Sequence, residues 1–325
     1  MFNVRTDLAI EAREIYKQGS NREVPGVSVD VNNEDEDIKI TIVKVLDEVG
    51  ARIIGKPIGS YITMEVPKIR HYDAEFHDRL GKSLAKQLSN LINLKKDGTV
   101  LVVGLGNWNV TPDSLGPKVV SKLFITRHLK QYMPQYLEEG INPVCAISPG
   151  VLGITGIETA EIIQGVVEKV KPDVIIAIDA LASRKMERVV TTIQIGDTGI
   201  NPGSGVGNRR MELSQKTLGV PVIAIGVPTV VDAATLANDT IDLMIDSLIK
   251  QSQNDKDFYN MLKNINKDEK YTLIRQILNP YIGDLMVTPK EIDSLIEDIS
   301  KVIANAINIA VHPGVGLEDI NKYIH

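Results

Sequence analysis

TVLVVGLG, Thr99 to Gly106, and DVIIAIDA, Asp173 to Ala180, are short apolar runs, and each leads to an aspartate. The first is followed by NVTPDSLGP, which carries Asp113; the second contains Asp179 at its end. Runs of this length, rich in Val and Ile and bounded by turn residues, read as strands buried on both faces of a parallel sheet. In such a sheet the carboxyl ends of neighbouring strands face one crevice, where ligands bind. Two carboxyls delivered there can divide acid and base work if one of them keeps a proton.

Working outward, PVCAISP (143–149), RVVTTIQI (188–195) and VPVIAIGVP (220–228) read as further strands. Between them, SLGPKVVSKLFITRHLKQYM (114–133), IETAEIIQGVVEKV (157–170) and a stretch from Asp232 to Lys250 read as helices. A last helix is expected from Pro289 to Ala310, with Thr288 as its N-cap. Alternating strands and helices predict an α/β fold: a mostly parallel twisted sheet with helices on both faces. Residues 24–66 carry β-branched runs (VPGVSVDV, IKITIVKVL, YITMEVP) and predict a smaller N-terminal β-rich layer. Residues 74–95 suit an amphipathic helix, with Phe76, Leu80, Leu84, Leu88 and Leu91 near i, i+4 spacing. The polar stretch 251–290 reads as a variable insertion.

The bulk numbers narrow the function. The 325 residues are 43% hydrophobic and 24% charged, ordinary for a globular protein, with a net charge of −6. That balance gives no footprint for direct nucleic-acid binding. Cys145 is the single cysteine, so no intrachain disulfide forms, which fits a reducing compartment. No apolar run approaches the roughly 20 residues that span a bilayer. A cytoplasmic protein is expected.

Several motifs compete for chemistry. GLGN (104–107) lacks the third glycine of a dinucleotide loop, because residue 109 is Asn. A tight turn that lets a substrate chain approach is the alternative. Asp113 is equally well placed to cap a helix, and Asp179 to pair with Arg184; together they make a site candidate. NPGSGVGNRR places Gly203, Gly205 and Gly207 before Arg209 and Arg210, a loop whose backbone N–H groups could form an anion or oxyanion nest. A flexible connector is the other reading. His71 and His77 lie six apart, off the i, i+4 spacing of a helical metal pair. Ser148 and Ser204 lie outside any G-x-S-x-G elbow.

VRTDLAIEA, VVGLGNWNVTPDSLGP, SPGVLGITGIET, IAIDALASR and TIQIGDTGINPGSGVGNRR, in this order and on through VPVIAIGVPTVVDA, resemble the germination protease family of spore-forming bacteria. The resemblance covers nearly the whole chain. It implies an atypical aspartic endopeptidase of the spore core that degrades small acid-soluble spore proteins during germination. Members are homotetramers, made as zymogens that cut away their own propeptide. The family's two aspartates match Asp113 and Asp179. The family's fold resembles that of hydrogenase maturation endopeptidases, whose metal-completing histidine has no match here, so neither metal nor cofactor is expected. Family cleavage falls after an acid and before an apolar residue followed by alanine. Asp7-Leu8-Ala9-Ile10-Glu11 has that arrangement, which implies self-cleavage between Asp7 and Leu8, a propeptide of residues 1–7 and one catalytic domain over 8–325. One aspartate would activate water; the other would hold a proton for the scissile carbonyl and the leaving amine. The 203–207 loop would supply oxyanion donors, and Arg209 or Arg210 would hold the substrate's acidic side chain. A metal-dependent maturation-type endopeptidase and a non-enzymatic nucleotide-binding module are the rival classes.

Overall fold

The structure, a computed structural model, describes residues 6–20, 23–71, 73–203, 210–251, 260–261, 264, 267–282, 285–314 and 316. In chain order the elements begin with α1 (Ala9–Ser20), β1 (Val27–Asp35), β2 (Ile38–Val45), α2 (Glu48–Ile54), β3 (Gly59–Glu65) and α3 (Ala74–Leu91). Next come β4 (Val100–Gly104), α4 (Leu115–Val120), α5 (Arg127–Tyr132), β5 (Val144–Ile147), α6 (Leu152–Thr155), α7 (Thr159–Val170) and β6 (Val174–Ser183). The chain continues through β7 (Thr192–Gly196), α8 (Gln215–Leu218), β8 (Val222–Asp232), α9 (Ala233–Gln251), α10 (Lys267–Ile282), β9 (Met286–Val287) and α11 (Ile292–Val311).

One sheet runs in the order β1-β2-β3-β7-β8-β6-β4-β5, and β9 pairs with β8. β8, β6, β4 and β5 are mutually parallel. β1, β2, β3 and β7 continue the sheet antiparallel, and β7 joins the two halves through β8. The sheet is therefore mixed rather than mostly parallel. The β-rich residues 24–66 are not a layer of their own: β3 hydrogen-bonds directly to β7.

Alternation along the central strands builds two cores. Val100, Val102, Ile176, Ile178, Ile223 and Ile225 face α3, α4 and α11 in the larger core. Leu101, Val103, Ile175, Ala177 and Val222 face α7 on the other side. Successive strand residues point to opposite faces, so Asp179 and Leu181 continue the α7 side of β6. Asp73 accepts the Phe76 N–H and starts α3, and Asp232 accepts the Thr235 N–H at the start of α9.

Two local expectations are corrected. Residues 114–133 form two short helices instead of one, because Leu123 and Phe124 leave the helix to be buried and Phe124 N–H donates to Asn308 Oδ1 at 3.0 Å. Thr288 does not cap the last helix; its hydroxyl donates to the Thr229 carbonyl, and Glu291 occupies the cap position.

Candidate active site

Asp113 and Asp179 are brought to one edge by β4 and β6. Gly104 pairs with Ile178, and Leu105 N–H donates to the Ile178 carbonyl at 2.8 Å, so the loop after β4 lies against the end of β6. That loop turns through Gly106 at φ +110 and folds back as a 3-10 turn over Thr111–Asp113. Asn107 N–H donates to Asp113 Oδ2 at 2.8 Å, closing the turn on the carboxyl. A Cβ at Gly106 would stand 2.0 Å from the Asp113 carbonyl oxygen. The turn is tight, as one reading of GLGN had it, but the close approach at Gly106 is made by Asp113 and not by a substrate chain.

Both carboxyls have raised proton affinities. Burial pushes Asp113 up to about 6, against the opposing Asn107 N–H bond. Asp179 is buried more completely. Desolvation raises it well above the usual carboxylate range, the charges of Asp113 and then Asp7 raise it further, and the Ala180 N–H opposes the shift. Neighbouring carboxyls in a desolvated site cannot both ionise readily.

The presence of Asp7 beside the pair has a structural cause. Asp7 pairs with the end of β6: its N–H donates to the Ala182 carbonyl at 3.1 Å, and the Ala182 N–H donates to Asp7 Oδ2 at 3.0 Å. The Asp7 carbonyl accepts from Lys56 Nζ at 2.8 Å and from Gln194 Nε2 at 3.2 Å. Ala9 N–H donates to Gln194 Oε1 at 2.7 Å. Leu8 is fully buried with Ile10 and Leu181, against Ile200. Ala9 is fully buried among Val43, Val45, Ile54 and Tyr61, where the group of partners surrounds a residue with only a methyl side chain. Glu11 is 1% exposed and takes N–H bonds from Arg184 and Lys185 at 2.8 and 3.1 Å. Arg188, itself buried, lies 3.3 Å from Glu11 and also pairs with Glu14 and Glu65.

The other expected residues fare differently. Gly203 adopts φ +71 at the base of its loop. Gly205, Gly207 and Arg209 lie outside the described residues. Arg210 is engaged by Glu158 at 3.5 Å. Arg184 pairs with Asp239 rather than Asp179. Among the described residues, no group of three or more His, Cys, Asp or Glu is arranged to hold a metal ion. His312 is a core residue: its Nδ1 accepts the Asn142 N–H at 3.2 Å and its ring packs edgewise on Phe124. Among the described residues, no helix is long and apolar enough to cross a membrane.

Lys56, Gln194 and the Arg188 cluster went unread in the sequence. Gln194 did leave a signal, a long polar side chain between Ile193 and Ile195 of an apolar strand.

Fold and site together define an α/β protein with one buried and one half-buried carboxyl of raised proton affinity beside a mixed sheet, a class equipped for acid–base chemistry. A family model described as germination protease matches residues 6–263 and 244–324. A germination protease of Clostridium perfringens is 59% identical over 325 residues, all of both chains. One from Clostridium tetani is 60% identical over 323 residues, 99% of this chain and 100% of its own. One from Bacillus licheniformis is 45% identical, covering 100% of this chain and 97% of its own. The chain belongs to the germination protease family, and so to the peptidases.

Proposed function

We propose that this chain is an endopeptidase of the spore core that starts the breakdown of small acid-soluble spore proteins at germination. It works as a homotetramer, and it is made as a zymogen that cuts itself between Asp7 and Leu8, leaving residues 8–325 as the catalytic domain. One observation carries this reading: Asp7 is hydrogen-bonded to Ala182 of β6, three residues beyond Asp179, and its charge acts on Asp179. Further support comes from the side chains that follow the bond. Leu8, Ala9 and Glu11 each have a fitted, buried environment, as a recognised substrate sequence would.

The environments of the two carboxyls support one division of roles. Asp179, the more deeply buried and raised further by the charges of Asp113 and Asp7, keeps its proton and serves as acid, and Asp113, whose carboxyl accepts the Asn107 N–H, serves as base. Water adds its oxygen to the Asp7 carbonyl carbon while Asp113 takes its proton. The C–N bond then breaks as Asp179 gives its proton to the Leu8 nitrogen. The proton held by Asp113 restores the pair, with one water consumed, one carboxyl group formed and one amine released.

The test is substitution of Asp113 or Asp179 by Asn. Each variant should lose self-cleavage and cutting of a purified small acid-soluble spore protein by at least about 10²-fold, the usual worth of general acid–base help. Intact mass and N-terminal sequencing report the cut, and size exclusion checks that the assembly is kept. A folded variant that cuts within a few-fold of the parent rate sinks the assignment.

A further inference from the structure

We propose that Lys56 and Gln194 form the cradle that holds and polarises the scissile carbonyl, and are catalytic residues alongside the two aspartates. This rests on the reading above, that the Asp7–Leu8 bond is the one cut.

The geometry comes from three elements that meet over the Asp7 carbonyl oxygen. Lys56 follows Gly55, the left-handed C-cap of α2 at φ 70, and precedes Pro57, whose carbonyl accepts the Tyr61 hydroxyl at 2.9 Å. A capped helix on one side and a tied loop on the other fix where the lysine starts. Gln194 comes from β7. Its strand neighbour across the ladder is Gly226 of β8, and Gly226 is also the partner of Asp179. Asp179, Gly226 and Gln194 therefore form one row across the sheet. Residues paired across a ladder share a face, so the carboxyl and the amide stand on the same side, two strand spacings or about 10 Å apart at the backbone. The middle position of the row has no side chain. The segment Asp7–Ala9 is bound on this face, against Ala182 at one end and Gln194 at the other.

The amide of Gln194 grips both sides of Leu8. Its nitrogen donates to the Asp7 carbonyl, and its oxygen accepts the Ala9 N–H. Only one amide orientation makes both bonds, since the flipped group would set oxygen against oxygen and nitrogen against N–H. Lys56 supplies the second donor to the same carbonyl oxygen. A carbonyl oxygen has two lone pairs, and these two donors fill them. The Asp179 proton is thereby left for the leaving nitrogen instead of the carbonyl, which revises the division of labour expected from the sequence.

The chemical consequence follows from where charge develops. Attack by water turns the Asp7 carbonyl oxygen into an oxyanion, and donors already in place strengthen as it forms. Of the two described donors to this oxygen, the ammonium of Lys56 is the stronger. Burial lowers the proton affinity of Lys56, and the Asp7 charge works against that loss. Two donors at hydrogen-bond distance from one carbonyl exceed what holding a strand in place requires. A plain tether to the peptide would make the same contacts, and the two readings differ in what removal does to the rate.

The experiment is the first-order rate of self-cleavage in the full chain, followed by intact mass, for Lys56→Met, Lys56→Arg, Gln194→Glu and the parent. Lys56→Met should slow the cut by about 10²–10³-fold, the loss typical of one oxyanion donor. Lys56→Arg, which keeps a charged donor, should recover part of it. Gln194→Glu keeps the acceptor for Ala9 N–H but loses the donor, and should be slowed as well. If Lys56→Met does not fold, as judged by its thermal melt, the near-isosteric Gln194→Glu carries the test. Parent-like rates in Lys56→Met and Gln194→Glu overturn the inference while inactive Asp113→Asn and Asp179→Asn leave the wider reading intact. Faster cutting in Lys56→Met also overturns it, because the contact is then a restraint. Active aspartate variants defeat the wider reading instead.

Discussion

In its proposed role as acid, Asp179 serves chemistry at the expense of stability. Its folded-state proton affinity lies well above the ordinary value of 3.8. The folded state then binds the proton more tightly than the unfolded chain does. The stability tied to this group is complete below about pH 4 and is lost as pH climbs through the folded value, by about 1.4 kcal/mol for each tenfold difference in proton affinity between the two states. Asp179→Asn removes the ionisable group and escapes that loss. We expect its melting temperature to exceed the parent's at pH 8, with the gain shrinking toward pH 4. A gain independent of pH would show that the carboxyl is not strained by burial. The same shifts predict the rate profile of self-cleavage. It should rise as pH passes about 6, where Asp113 ionises, and fall at higher pH as Asp179 and the Lys56 ammonium lose their protons. A flat profile from pH 5 to 9 contradicts the acid and base roles. The strands that lead to the two aspartates were legible in the sequence because their apolar runs leave a local mark. Lys56 was not, since nothing in IIGKPIG reveals that a bond more than forty residues away lies under its amine.

At the scale of the element, the turn after β4 decides whether Asp113 arrives. Gly106 combines a backbone angle that L residues rarely adopt with a neighbour where its Cβ would stand. Gly106→Ala must push the Thr111–Asp113 turn away, and we expect about 1–3 kcal/mol of lost stability together with a large loss of cleavage. Gly219→Ala, at the C-cap of α8 and away from Lys56, is the control. Its φ is 72 but a Cβ there meets nothing within 4 Å, so it carries only the left-handed penalty of about 1–2 kcal/mol. Equal losses of cleavage in the two variants would remove the special role of the Gly106 turn. The strands that carry the aspartates could be read from their apolar runs because burial on both faces leaves a local mark. The break between α4 and α5 could not. It is set by Asn308 and by the Thr126 hydroxyl, which donates to the Asn142 carbonyl and accepts the Val144 N–H, all of them partners distant in sequence. The antiparallel half of the sheet was read as separate for a similar reason. The pairing of β7 with both β3 and β8 is decided by long-range ladders, and β-branched composition does not record which strand will be the neighbour.

Across the whole molecule, the N-terminal segment is the part that ties the two halves of the sheet to the Asp179 environment. It lies where the parallel and antiparallel halves of the sheet meet, bonded to β6 through Ala182 and to β7 through Gln194. Arg188 and the backbone of residues 184 and 185 anchor it further along at Glu11. Asp7 brings a carboxylate close to Asp179 and helps hold the proton there. A chain that begins at Leu8 loses that negative charge and gains a positive amine at nearly the same place. Both changes favour ionised Asp179, so its titration should move to lower pH than in the full chain. The alkaline limit of the cleavage profile should move down with it. Carboxyl carbon resonances followed by NMR in both chains measure the first, and pH–rate curves on a spore-protein substrate, against self-cleavage in the full chain, measure the second. An Asp179 titration unchanged by removal of residues 1–7 would mean that Asp7 does not communicate with the pair, and the segment would then be bound beside the acids without belonging to their chemistry.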